Sequence, residues 1–255
     1  MKKCYLKIVS GTALAVMFLF ASCHSAYEVT KAEGRMQPID STYDVAPDAE
    51  AIALLAPYKA KIDSMMYRVV GTAEMSWIKE LPKASFPIWW PMCARSGCAG
   101  AWKTCRYGLV NMGGLRNVLT EGPITCSNIY EILPFENSLC VVTLKGVYLK
   151  QLFESIAARG GEGVSGVNLR ITKSGKLLGA TVAGKPVVDD KLYTVATIDY
   201  LADGNSDMTA LIQAEKRDCP PGATLRGLFM DYVEQQTAAG KKITSRMEGR
   251  ITVED

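Results

Sequence analysis

Apolar residues recur every three to four positions in some stretches of this chain and alternate with polar ones in others. Past a Pro47-Asp48 start, Ile52, Leu55, Ile62 and Met65 keep helical spacing, with Pro57 expected to bend or restart the helix. Ser127 to Leu133 predicts a short helix. Tyr148 to Arg159 predicts an amphipathic one with Leu149, Leu152, Phe153 and Ile156 inward, ended by Gly160 and Gly161. Leu225 to Gln236 predicts a late helix. Strands are expected at Tyr67 to Ala73 and at Gly108 to Asn111, which runs into a Gly113-Gly114 turn. Further strands are expected at Ser138 to Leu144, Val167 to Thr172, Lys176 to Val182, Lys191 to Thr197 and Arg250 to Val253. Helices and strands intermix without regular βαβ spacing and without internal repeats. The expected fold is therefore α/β of the mixed α+β kind, one domain over residues 45–255.

The N-terminal segment follows another rule. Lys2 and Lys3 precede an apolar run from Ile8 to Phe20, closed by Ala21-Ser22-Cys23. A basic start, a short apolar stretch and small residues make a secretory signal, too short for a spanning helix. Cysteine directly after the small residues resembles the lipobox of bacterial lipoproteins. That resemblance implies a signal peptide over 1–22, a lipidated Cys23 and a polar tether over 23–44. The chain would then be exported and lipid-anchored to the cell envelope, on a periplasmic or outer-membrane face. The plainer alternative is an ordinary signal peptide with an incidental cysteine.

Composition narrows the chemistry. With 48% hydrophobic and 22% charged residues in 255, the chain can bury an ordinary core. A net charge of +3 lacks the concentrated basic character that nucleic acid requires, so no nucleic-acid partner is expected. The single histidine, His24, lies beside the expected anchor. A His-rich metal centre or a Ser-His-Asp triad cannot be assembled from it.

One stretch breaks the pattern. Trp77, Trp89, Trp90 and Trp102 are all the tryptophans of the chain, and Cys93, Cys98 and Cys105 lie among them. The cysteine spacing is not that of a common zinc knuckle, leaving a disulfide or an aromatic ligand platform as readings. A further reading concerns the gene. Read from the third base of each codon, Phe86 to Cys93 permits Ser-Asn-Leu-Val-Ala-Asp-Val, with both valines and the alanine forced by the genetic code. Residues 77–107 are on this view a frameshifted segment whose frame is restored by Tyr107-Gly108.

The rest of the chain carries an ordered set of motifs. These are Gly108-Leu-Val-Asn-Met-Gly-Gly-Leu-Arg116, Gly122-Pro-Ile-Thr125, Ile132-Leu-Pro-Phe-Glu-Asn137, Leu144-Lys-Gly146 and Tyr193-Thr-Val-Ala-Thr-Ile-Asp-Tyr-Leu-Ala-Asp-Gly204. Together they resemble the C-terminal, substrate-specificity domain of the 5′-nucleotidase family, from about residue 45 onward. The family's Asn-Leu-Val-Ala-Asp segment is what the alternative frame supplies. The resemblance implies a nucleoside- or nucleotide-binding site in which Asn111 shapes the pocket and Arg116 meets the ribose or phosphate end. Phe135 and Tyr200 would sandwich the base, with Asn137 beside it. The family's Gly-Gly-Asp-Gly is here Gly204-Asn205-Ser206-Asp207, so the ribose-binding aspartate falls on Ser206 or, with a one-residue shift, on Asp207. Read without the resemblance, the same residues serve as turn formers, core aromatics and a solvated cation.

In that family an N-terminal metallophosphatase domain performs hydrolysis at two metals. Such a centre needs several His, Asp and Asn ligands, which a chain with one histidine does not offer. The expectation is a chain with no cofactor and no catalytic residue of its own, acting with a separately encoded metallophosphatase that carries the divalent metals. Its ligand would be a nucleoside or nucleoside monophosphate. The rivals are a stand-alone surface protein that scavenges nucleosides and a non-functional frameshifted product.

Overall fold

The computed structural model describes residues 30–38, 40–43, 45, 47–77, 107–245 and 249–255. The expected signal peptide, Cys23, Trp89, Trp90, Trp102, Cys93, Cys98 and Cys105 lie outside them. The chain divides into two units, Met1–Ala53 and Leu54–Asp255. The described part of the first carries a 3₁₀ turn at Ser41–Tyr43 and the opening residues of the helix that follows. Among the described residues no helix is long and apolar enough to cross a membrane.

Helix α1, Ala49–Met66, starts where Asp48 accepts the backbone N–H groups of Glu50 and Ala51 at 2.9 and 3.0 Å. It runs through Pro57 without the expected break. It buries no residue, and Ile52, Leu55, Ile62 and Met65 are exposed. Helical spacing thus predicts the element correctly here, although no apolar stripe of it is buried.

The second unit then runs β1 (Val69–Ala73), β2 (Tyr107–Val110), β3 (Gly122–Thr125), α2 (Cys126–Ile132), β4 (Leu139–Lys145), α3 (Gly146–Ala158), β5 (Gly163–Ser165), β6 (Val167–Thr172), β7 (Leu177–Val182), β8 (Lys185–Pro186), β9 (Leu192–Ile198), α4 (Asp199–Ala202), β10 (Lys216–Asp218), α5 (Leu225–Ala238) and β11 (Ile251–Glu254). Most follow the expected pattern. The capping box of α2 satisfies two N-terminal donors, since Thr125 and Asn128 exchange side chain-to-backbone bonds. Helix α3 ends as expected, the N–H groups of Gly160 and Gly161 returning to Ala157 and Ile156 at 2.9 Å, with both glycines at positive φ.

Three sheets result: β1-β3, the central β10-β4-β9-β2-β5, and β11-β6-β7-β8. In the central sheet β2 and β9 are parallel, while β4 and β5 run antiparallel to them. Its strands supply Val142, Leu144, Ala196 and Ile198 to the core, and α3 adds Leu149, Leu152, Phe153 and Ile156. These four are the α3 residues that the sequence pattern turns inward. Helix α5 buries Phe229 beside Trp77, ring centroids 5.7 Å apart. Trp77 is thus core, and its backbone N–H donates to the carbonyl of Leu119 at 2.8 Å. Tyr107, at the far edge of the Trp/Cys stretch, opens β2.

A disulfide joins Cys140, the second residue of β4, to Cys219, just past β10. The β10–β4 register pairs Asp218 with Val141, so the next position along the edge brings these two cysteines together. Sequence reasoning looked for a disulfide among Cys93, Cys98 and Cys105. The bridge found here links residues 79 apart, which only sheet registration makes neighbours.

Candidate functional site

Strand directions bring distant residues to one end of the central sheet. Parallel β2 and β9 both finish there, so the turn after Val110 and the turn after Ile198 emerge side by side. Antiparallel β4 and β5 begin there, Leu139 opposite Ile198 and Gly163 opposite Val110. The segments before those strands, 133–138 and 159–162, therefore join the same end. A cavity of about 340 Å³ opens among them. It is lined by Asn111, Gly113, Gly114, Arg116, Phe135, Asn137, Arg159, Tyr200 and Ser206. Six of the seven expected binding residues line it, while Asp207 is not in the lining and pairs with Arg159, which is.

The turn after β2 is a single 3₁₀ turn, Met112–Gly114, with Asn111 ahead of it. Asn111 is 8% exposed, and its Oδ1 is buried without a hydrogen-bond partner among the described residues. A Cβ on Gly114 would lie 2.9 Å from that oxygen, so the turn closes over Asn111 only because residue 114 has no side chain. Arg116 is exposed and makes one long bond, to the Gly113 carbonyl at 3.4 Å. Most of its donor fork makes no bond among the described residues.

Glu162 ties this turn to the end of α3. Its carboxylate is buried, accepts the Met112 N–H at 2.6 Å and takes the Arg159 Nε–H at 2.8 Å. A buried carboxylate needs such partners, because removing a lone charge from water is costly. The bond to Glu162 is also the main reason the Arg159 guanidinium is held above its ordinary pKa, against the opposing effect of burial. Sequence reasoning missed both residues. The available signal was a single Glu set between Gly161 and Gly163, three residues after an Arg at a helix end.

Phe135 and Asn137 sit on the loop before β4, which is held by Arg226 of α5. That guanidinium is nearly buried and donates to the Leu133 and Pro134 carbonyls at 3.1 Å each and to Glu136 at 2.9 Å. It also lies 4.2 Å from the Tyr130 ring centroid. The Asn137 carbonyl accepts the Leu225 N–H at 2.8 Å, closing the loop on the start of α5. Phe135 is left 50% exposed. An aromatic held half in water on a fixed loop can present a face for stacking.

Tyr200 lies in α4, directly after β9, and is 42% exposed. The Asn205 side chain bonds the Tyr200 carbonyl at 2.8 Å and folds the following loop back on it. Ser206 and Asp207 both adopt left-handed backbone, φ 55° and 61°. That conformation is uncommon for any residue but glycine. Ser206 faces the cavity, whereas Asp207, its side chain 82% exposed, bonds Arg159 at 3.1 Å instead. Arg217 bonds Asp203 at the foot of this loop and donates to Cys219 Sγ at 3.2 Å, linking the loop to the disulfide edge.

The arrangement offers two half-exposed aromatic faces, two amides, a serine hydroxyl and two guanidinium forks, with no carboxylate in the lining. It suits a flat, polar, partly anionic ligand and holds no nucleophile–base pair. Among the described residues no three His, Cys, Asp or Glu side chains group as a metal site would need.

Fold and site together define a mixed α/β domain with an aromatic- and arginine-lined cavity at one sheet end. Residues 91–213 match the family model described as the 5′-nucleotidase, C-terminal domain, beginning inside the Trp/Cys stretch. Protein UshA of Yersinia enterocolitica is 25% identical over 206 residues, covering 78% of this chain and 37% of its own length. The 5′-nucleotidase precursor of Thermus thermophilus shares 25% identity and a TM-score of 0.66, over 83% of this chain and 44% of that one. The Haemophilus influenzae NAD nucleotidase shares the fold at a TM-score of 0.61 and 19% identity, over 82% and 42%. These findings support the 5′-nucleotidase C-terminal-domain family for this chain, and its fold is the fold of that domain. The chain spans less than half the length of each of these three relatives.

Proposed function

We propose that this chain is a nucleoside- or nucleotide-binding specificity module that works with a separately encoded two-metal phosphatase. The observation that supports it is the cavity itself. Phe135 and Tyr200 provide two aromatic surfaces, with Asn137 on the loop that carries Phe135 and Arg116 exposed beside them. Stacking a base on such a face contributes ~1–3 kcal/mol without demanding one base. The guanidinium fork matches phosphate or hydroxyl pairs. Names among the relatives, 5′-nucleotidase and NAD nucleotidase, point to the same ligand class.

Hydrolysis is assigned elsewhere. A dimetal centre needs several imidazole and carboxylate ligands, and His24 is the only histidine present. The residues of this chain do not fit such a centre, so no step is routed through metals here. Binding contacts remote from the reacting phosphate would orient a substrate in the partner's site. Export and a lipid anchor at Cys23 would place the module at the cell envelope, where disulfides such as Cys140–Cys219 persist.

Calorimetric titration with adenosine, uridine and their 5′-monophosphates, beside a phosphate-release assay with Mn²⁺, tests the proposal. Expected are saturable binding of at least one of these ligands and no hydrolysis by the chain alone. Robust phosphate release, or no binding by a cooperatively melting protein, would overturn it.

A further inference from the structure

Arg159 has two carboxylate partners of unequal standing. Glu162, with its side chain 3% exposed, accepts the Nε–H and is itself pinned by the Met112 N–H. Asp207, 82% exposed, takes one hydrogen from Nη1 at 3.1 Å through a single oxygen. The first bond orients the guanidinium and the second occupies it. A guanidinium has five N–H donors, and the remaining ones make no bond among the described residues while Arg159 lines the cavity.

We infer that Arg159 is an anion-reading residue of this pocket alongside Arg116, and that Asp207 is an internal stand-in displaced when a ligand phosphate arrives. The inference rests on the nucleotide-binding reading and sharpens it: the preferred ligand is a nucleotide bearing a phosphate group rather than a neutral nucleoside. Three observations carry it. The cavity lining holds two guanidinium groups and no carboxylate. An exposed ion pair is weak and exchanges readily, whereas a phosphate can engage the fork through two oxygens at once. Asp207 and Ser206 also hold consecutive left-handed backbone, a conformation with its own cost that the Arg159 contact offsets. Once phosphate takes Arg159, the loop is free to relax and Ser206 to adjust to the ligand.

The test is calorimetric titration of adenosine and AMP into the full chain and into D207N and R159Q. Asparagine tolerates the left-handed region as well as aspartate does, so D207N removes the charge and keeps the loop. D207N is expected to raise AMP affinity by about three- to fivefold, the scale of an exposed ion pair, and to leave adenosine unchanged. R159Q is expected to weaken AMP by about tenfold or more, as loss of a charge-assisted pair does, and to weaken adenosine by less. Because R159Q leaves buried Glu162 with one donor fewer, the exposed D207N decides the matter, with a thermal melt confirming its fold. An unchanged AMP-to-adenosine ratio in D207N overturns the inference even if both ligands bind. Absence of binding by either ligand to the unmodified chain overturns the binding-module reading as well.

Discussion

Replacing Arg226 with methionine isolates what a nearly buried cation does for an exposed aromatic. The change keeps an apolar stem of similar length and removes the guanidinium that bonds the Leu133 and Pro134 carbonyls and Glu136 and covers Tyr130. Leu133 is buried, so its carbonyl loses a partner that water does not easily replace, at about 1–3 kcal/mol. Pro134 and Glu136 are exposed and regain water at little cost. The ring contact contributes about 0.5–1 kcal/mol at a half-exposed tyrosine. Relief of the charge's desolvation works in the opposite direction, which leaves a net loss of roughly 2–3 kcal/mol. For a unit of this size each kcal/mol lowers Tm by about 2–4 °C, so R226M should melt about 4–12 °C below the parent in scanning calorimetry. Lysine restores the charge as a point without the fork, so R226K should recover less than half the loss. The loop also carries Phe135 and Asn137, so nucleotide affinity should fall in R226M at temperatures where both proteins are folded. A melt within 1 °C of the parent together with unchanged affinity would refute the reasoning.

Other outcomes follow from the same geometry. Reducing the Cys140–Cys219 bridge, or C140S with C219S, frees a loop with a sequence separation of 79. Chain entropy then predicts a loss of about 4–5 kcal/mol, readable as a lower urea midpoint under reducing conditions. F135A and Y200A remove half-exposed rings, so Tm should stay within about 2 °C while ligand affinity falls by about 1–3 kcal/mol each. The Arg170 bond holds the Glu254 carboxyl below its usual pKa. Its contribution is therefore full above the ordinary carboxylate range and is lost as pH falls through the depressed value. E254Q should accordingly narrow the difference in Tm between pH 6 and pH 3, and an unchanged difference would remove the pair from the account.

Local pattern exposed most strands, the inward face of α3 and the ends of its helix, because each depends on neighbours a few residues away. The site residues were legible through their motifs, since Asn111, Arg116, Phe135, Asn137, Tyr200 and Ser206 line one cavity. Arg159, Glu162, Arg226 and the Cys140–Cys219 pair were not. Their partners lie in other elements or across a helix break, and only strand order and register reveal them. Asp207, the one-residue-shift alternative to Ser206 on sequence grounds, is set apart by its pairing with Arg159, which local pattern cannot encode. Helix α1 shows the converse limit: its apolar spacing is plain, yet those residues are exposed.

The convergence of four loops on one sheet end has a practical outcome. Residues from 111 to 206 must all reach their places before the cavity exists, so no short fragment should retain it, and an occupant fastens the whole domain at once. A ligand at one hundred times its Kd adds about 2.7 kcal/mol to the folded state. Screening nucleosides and nucleotides by the upward shift of a melting curve would therefore identify the occupant with no knowledge of the reaction it enters.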